Sequence, residues 1–289
     1  MTAPRRVLPA RTYLLTRRCL ERRFYLRPDP KVTQIFEYLL AVACTRYGIQ
    51  LHAYVMMSNH YHLVVTDRLA NLPPFQQYLN SLLARAINQY RSHWGQFWDR
   101  ESYNAVELLE HDAVLTKLAY TELNPVRAGL VGRATAWSGP TSSTLRFGHT
   151  RRIQRPEGFF SPSMPEEAIL ELLEPADIDR QDAQASRDHA LADGCRTSRS
   201  TQPRPLGMRR VLRRDWKDSP STPEPRRQLR PRFASRCPEL RIRALVEYRR
   251  WLDAYRAALQ RFRDGERQVP FPAGSFWMCV RLGCPPAPS

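Results

Sequence analysis

Apolar residues recur at helical spacing over Lys31–Tyr47, at Val32, Ile35, Phe36, Leu39, Leu40 and Ala43. That spacing predicts an amphipathic helix, and Gly48 stops it. Pro28 and Pro30 separate this helix from Arg11–Leu26, two aromatic and aliphatic clusters split by Arg17-Arg18. These clusters read as a strand or a strand pair. Ile49–Met57 and His60–Thr66 read as two further strands, with Ser58-Asn59 as the turn or bulge between them. Pro73–Tyr90 returns to helical spacing through Phe75, Leu79, Leu82, Leu83, Ala86 and Ile87. Tyr103–Val106 alternates like a strand. Asp112 is placed to cap a third helix running to about Leu123, which Pro125 and Gly129 end. The order strand, helix, strand, strand, helix, strand, helix predicts an α+β unit with a mostly antiparallel sheet, filling roughly residues 1–150.

The pattern changes beyond that unit. Residues 151–203 read as a linker with short helices. Pro156–Pro165 is loop sequence, Glu166–Leu173 a short acidic amphipathic helix, and Asp177–Ser200 polar and partly helical. Arg204–Arg232 is rich in arginine and proline and reads as an extended basic arm. Glu239–Phe262 resumes helical spacing through Leu245, Tyr248, Leu252, Tyr255 and Leu259, so residues 204–289 are expected to form a basic arm and a helical extension.

Charge narrows the partner class. The chain has 289 residues and a formal net charge of +17, and only Lys31, Lys117 and Lys217 among its 45 basic residues are lysines. Arginine grips phosphate with two parallel hydrogen bonds and stacks on bases, so nucleic acid is the expected partner. A coding bias would explain arginine over lysine but not the excess of base over acid. The six cysteines form no Cys-x-x-Cys pair, which fits a reduced interior. No apolar run approaches the roughly 18–20 residues of a membrane span. The basic N-terminus lacks the apolar stretch of an export signal. A cytoplasmic protein is expected.

The chemistry gathers in two places. His60 and His62 lie two residues apart in a Val-, Leu- and Tyr-rich stretch. In a strand both imidazoles share a face, and two neutral imidazoles can hold one divalent ion. A His-x-His pair alone is ordinarily structural. What raises this one is Tyr120 and Asn124, four residues apart on the third predicted helix and therefore on one side of it.

Asn-His-Tyr-His-Leu-Val-Val (Asn59–Val65), followed by Tyr-Thr-Glu-Leu-Asn-Pro-Val-Arg-Ala-Gly-Leu-Val (Tyr120–Val131), resembles the HUH single-tyrosine transposases. The nearest branch is that of the REP-associated (RAYT-like) tyrosine transposases, related to the IS200-like transposases. The resemblance extends through Phe97-Trp98-Asp99-Arg100 and Ala136-Trp137-Ser138 and covers roughly residues 10–150. It implies a ferredoxin- or RRM-like antiparallel sheet with helices on one face, the histidines on a central strand, and a basic C-terminal extension. It also implies Tyr120 as nucleophile, His60, His62 and Asn124 as ligands of a divalent metal (Mg2+ or Mn2+), and cleavage of single-stranded DNA near hairpins without ATP. Members act as monomers or homodimers, and the resemblance implies a bacterial, nucleoid-associated protein.

The physical chemistry is compatible with those roles. A phenol with a pKa of about 10 is a poor nucleophile at neutral pH. A cation held by two imidazoles and an amide would bind a non-bridging phosphate oxygen and orient the scissile bond. Tyr120 would then form a 5′-phosphotyrosyl link and free a 3′-hydroxyl. Lys117, one turn before Tyr120, is a candidate phosphate contact or a solvated lysine. Arg209, Arg210, Arg213 and Arg214 are the leading DNA contacts in the arm. Tyr90 is a rival nucleophile without an amide four residues on, and Glu122 points away from Asn124 around the helix. Trp94, Phe97 and Trp98 are candidates to stack on bases, with Trp98 favoured as core. The competing functions are a catalytically inactive DNA- or RNA-binding relative of the same fold and a replication-initiation relaxase.

Overall fold

The computed structural model describes residues 4–101, 103–201, 204–222 and 231–287. Four segments build the centre: β1 (Arg11–Arg18), β2 (Ile49–Met57), β3 (His60–Asp67) and β4 (Asn104–Leu108). They pair antiparallel in the order β2-β3-β1-β4. Helix α1 (Pro30–Tyr47) connects β1 to β2, and α2 (Leu72–Tyr90) connects β3 to β4. This is the β-α-β-β-α-β arrangement of ferredoxin-like folds.

Local signals set the boundaries. The Asp29 carboxylate accepts from the Val32 amide at 3.1 Å and caps α1. Gly48 ends that helix in the left-handed region, with φ 66°. Ser58-Asn59 forms the two-residue turn between β2 and β3, so Met57 lies opposite His60 and Val55 opposite His62. The Asp67 carboxylate accepts from the amides of Asn71 and Leu72 at 2.9 and 2.7 Å, tying the end of β3 to the start of α2.

Strand alternation divides the sheet into two faces. Tyr61 points to one of them. Its hydroxyl bonds to Asn80 of α2 at 2.7 Å, and its ring lies 5.7 Å from that of Phe36 of α1. This α1–α2 face carries the main core, including Ile35, Leu39, Phe75, Leu79 and Leu83. His60 and His62 point to the other face. There α3 (His111–Glu122) lies against β2 and β3, and Val55, Met57, Ala119, Leu123, Val126 and Trp137 form a second apolar cluster.

Several sequence expectations are corrected. Asp112 does not cap α3. Glu110 occupies that position without a capping bond, and its carboxylate instead takes the Ser235 hydroxyl at 2.9 Å. Pro125 lies in the first turn of a further short helix, α4 (Asn124–Arg127), where its missing N–H costs no helical hydrogen bond. Glu166–Leu173 is not a helix. Strand β6 (Glu167–Glu171) pairs antiparallel with β5 (Thr150–Gln154). Ala168 and Leu170 are buried while Ile169 and Glu171 are exposed, a period of two that a short apolar run can hide.

The polar stretch after residue 176 becomes one long helix, α5 (Arg180–Thr201). The expected extended arm is folded back wherever it is described, and residues 223–230 lie outside the described residues. The amides of Leu206 and Gly207 donate to the Gly129 and Leu130 carbonyls, both at 2.8 Å. Val211 of α6 (Met208–Arg213) joins the second apolar cluster. Trp216 packs near Tyr25, and β7 (Phe233–Ala234) adds a parallel strand beside β4. Leu206, Met208, Val211 and Trp216 each pack against an apolar cluster, and that burial outweighs the polar composition of the arm there. Helix α7 (Pro238–Arg263) follows where helical spacing predicted it, and its Tyr248 hydroxyl donates to the Pro4 carbonyl at 2.8 Å. Among the described residues no helix is long and apolar enough to cross a membrane.

Candidate active site

The two histidines sit at the turn end of β3, each held by a neighbour. The Asn59 amide nitrogen donates to the Arg22 carbonyl at 3.1 Å, which leaves its oxygen to face His60. His60 Nδ1 lies 2.6 Å from that oxygen and must therefore donate to it. The lone pair of His60 is thereby fixed on Nε2. His62 Nδ1 lies 2.8 Å from the hydroxyl of Thr16, its cross-strand partner on β1. With Thr16 as acceptor, His62 also presents an Nε2 lone pair. Such outer contacts orient imidazoles for metal binding.

The imidazoles approach with ring centroids 4.9 Å apart and planes at 87°. Both stay neutral near pH 7. Dense surrounding protein, then Arg18 and Arg22, lower the pKa of His60 to about 4. Burial, then His60, Arg18 and Lys117, hold His62 well below the usual histidine range. Neutral imidazole is the form that binds a metal.

Tyr120 comes from α3 onto the same face. Its ring centroid is 5.8 Å from that of His62, with planes at 76°. The ring is partly buried. Two cations lie beside it: Lys117 Nζ is 4.9 Å and the Arg127 guanidinium carbon 5.2 Å from the ring centroid. Burial first, and Arg127 second, lower the pKa of Lys117.

Asn124 stands at the α3–α4 junction. Its amide nitrogen donates to the carbonyls of Tyr120 and Thr121 at 2.8 and 3.3 Å, closing the end of α3. Its oxygen holds no hydrogen bond among the described residues, and no described contact joins it to either histidine. Among the described residues no three His, Cys, Asp or Glu side chains cluster for a metal. A cation here would rest on His60 and His62, with an amide oxygen, water or a DNA phosphate completing the shell. The fixed Nδ1 contacts and the two lone Nε2 atoms fit such an ion.

The structure thus gathers His60, His62, Tyr120 and Lys117. Arg209, Arg210, Arg213 and Arg214 are exposed, on and just after α6, which Val211 anchors to the cluster holding Ala119 of α3 and Leu123 just past its end. Tyr90 lies elsewhere, 40% exposed on α2, with its ring 6.3 Å from Phe159. Phe97 and Trp98 are buried, while Trp94 is 97% exposed. Glu122 is buried in an ion pair with Arg187 of α5.

Sequence reasoning overlooked Thr16, Asn59 and Arg127. Asn59 and Arg127 lie inside the two motifs, so their positions carried a signal. Thr16 is on a different strand, and only the β1–β3 register brings it to His62.

No protein-family model and no curated protein matches the chain. Several solved chains are similar to it, among them the chains of two structures. One is of a REP-associated tyrosine transposase bound to a REP hairpin, at 14% identity, covering 50% of this chain and 83% of that one, with a TM-score of 0.42. The other is of a protein described as a transposase from Deinococcus radiodurans R1, at 22% identity, covering 40% of this chain and 93% of that one, with a TM-score of 0.31.

Proposed function

We propose that this chain is a metal-dependent DNA transposase that cleaves and rejoins single-stranded DNA, near hairpins, through a covalent 5′-phosphotyrosine. The observation that carries the reading is the meeting of Tyr120 with His62 across the β3–α3 interface, at 5.8 Å between rings, inside the two motifs of the HUH single-tyrosine resemblance. A nucleophile beside two neutral, pre-oriented imidazoles suits phosphoryl transfer.

Tyr120 Oη attacks the phosphorus, and the bond to the 3′-oxygen breaks. The phenol loses its proton and the leaving oxygen gains one, giving a 3′-hydroxyl. One phosphodiester replaces another, so the hydroxyl can reverse the step without a nucleotide cofactor. A divalent ion (Mg2+ or Mn2+) bound at His60 and His62 would supply Lewis acidity to a non-bridging oxygen. Thr16 and Asn59 keep the imidazoles aimed, and Asn124 holds the last turn of the nucleophile helix while offering its oxygen as a third ligand. The exposed arginines of the α6 region would track the DNA backbone.

The test is incubation with Mg2+ or Mn2+ and labelled single-stranded DNA from the flanks of the chain's own gene, followed by denaturing electrophoresis. A covalent adduct is expected from the wild type. Tyr120→Phe should form none while folding and binding DNA as before, because it loses one hydroxyl and keeps the ring. Chelator should abolish the adduct. Binding without any adduct would favour the inactive nucleic-acid-binding reading, and adduct in Tyr120→Phe would move the nucleophile elsewhere.

A further inference from the structure

Lys117, Tyr120, Asn124 and Arg127 follow one another at intervals of three, four and three residues. That spacing lines one side of a helix, and it continues here across the α3–α4 junction. Lys117 reaches the Tyr120 ring from one side along the chain and Arg127 from the other, at 4.9 and 5.2 Å from the centroid. Arg127 is exposed and so within reach of a ligand. Glu122, the acid nearest in sequence, is engaged elsewhere. It is fully buried and bound to Arg187 on the core side.

Two cations beside one ring repel each other, and the lowered pKa of Lys117 reflects burial and then Arg127. The anion that must come to Tyr120 Oη is the phosphate it attacks. Arginine binds such a group through two parallel hydrogen bonds and keeps its charge throughout.

We propose that Arg127 is a catalytic residue which, with Lys117, clamps the non-bridging oxygens of the scissile phosphate as Tyr120 attacks. This rests on the strand-cleavage reading above. Charge accumulates on those oxygens in the transition state, so a fixed cation there lowers the barrier more than it strengthens DNA binding. The packing alternative is that Arg127 merely covers the Tyr120 ring.

The experiment uses the full chain with Mg2+ or Mn2+ and an oligonucleotide spanning the cleavage site mapped with the wild type. Two versions are compared, one with the natural scissile phosphodiester and one with an uncharged methylphosphonate in its place. Arg127→Ala is expected to slow single-turnover adduct formation about 100-fold on the natural substrate, with DNA affinity nearly unchanged. Arg127→Lys should recover about tenfold of that loss through its point charge. On the methylphosphonate the penalty of Arg127→Ala should shrink to less than about fivefold, because the charge it served is gone. An unchanged rate in Arg127→Ala overturns the inference. So does an equal loss on both substrates, which a role in ring packing would give. Failure of the wild type to form any Tyr120 adduct overturns the cleavage reading itself and the inference with it, whereas a wild-type adduct matched by Arg127→Ala overturns the inference alone.

Discussion

His52 illustrates how one buried residue sets the response to acid. It is inaccessible to solvent, with Nδ1 donating to the Leu173 carbonyl at 2.8 Å and Nε2 at 2.8 Å from the Thr66 hydroxyl. Both nitrogens are used by the neutral ring, and burial lowers its pKa to about 4. The unfolded chain binds this proton near pH 6.5 and the folded protein only near 4. Stability from His52 is therefore fully present above about pH 6.5 and is lost as pH falls from there towards 4, by on the order of 3 kcal/mol. His60 and His62 shift in the same direction. Urea unfolding between pH 7 and 4.5 should give a shallower acid loss for His52→Gln than for the wild type, and identical slopes would assign the acid response to other groups. The motif residues His60, His62, Tyr120 and Asn124 could be read from the chain. The function of His52 could not, because it depends on Leu173, far away in sequence.

At the scale of elements, the helix that carries Tyr120 is fastened from outside the motifs. Arg187 of α5 places Nε and Nη2 2.9 and 2.6 Å from the two oxygens of Glu122, and both side chains are almost wholly buried. Arg187 also donates to the carbonyls of Ser142 and Leu145 at 2.6 and 2.8 Å, and the Ser142 hydroxyl donates to Glu122. A Cβ at Gly194 of α5 would run into Leu123 Cδ1 just past the end of α3, so glycine allows the close approach there. Arg187→Met should destabilise the fold by about 3–5 kcal/mol, because it strands a buried carboxylate. Adding Glu122→Gln should restore much of that loss, as measured by denaturant unfolding. Equal stability of the single and double variants would mean that the ion pair is not what fastens α3. The strands and helices before residue 130 were legible because each has a clear period and a cap or breaker. Strand β6 was misread because five residues of mixed polarity satisfy both periods, and only pairing with β5 selects one.

At the scale of the molecule, the C-terminal residues both complete the structure and carry charge. Strand β7 extends the central sheet, while Arg209, Arg210, Arg213 and Arg214 remain exposed. Truncation before residue 204 is therefore expected to lower the melting temperature and the DNA affinity together, and cannot separate the two roles. Replacing the four arginines by glutamine can. Stability should stay within about 0.5 kcal/mol of the wild type. The slope of log affinity against log salt on single-stranded DNA should become shallower by roughly 0.7 for each phosphate that is no longer neutralised. An unchanged slope would mean that these arginines are merely solvated.

By itself the sequence determined the order of the first strands and helices, the positive charge, and the two motifs that hold His60, His62, Tyr120 and Asn124. Those are local properties: period, capping, composition and spacing act within a few residues. The tertiary structure decided that Tyr120 meets His62, that Thr16 sets the His62 ring, that the Arg22 carbonyl turns Asn59 towards His60, that Arg127 returns to the nucleophile, and that α5 and β7 close onto the first 150 residues. Each of these joins positions separated by a turn, a strand register or a long stretch of chain. The free energy of such a pairing belongs to both residues together, and neither alone carries a sign of it.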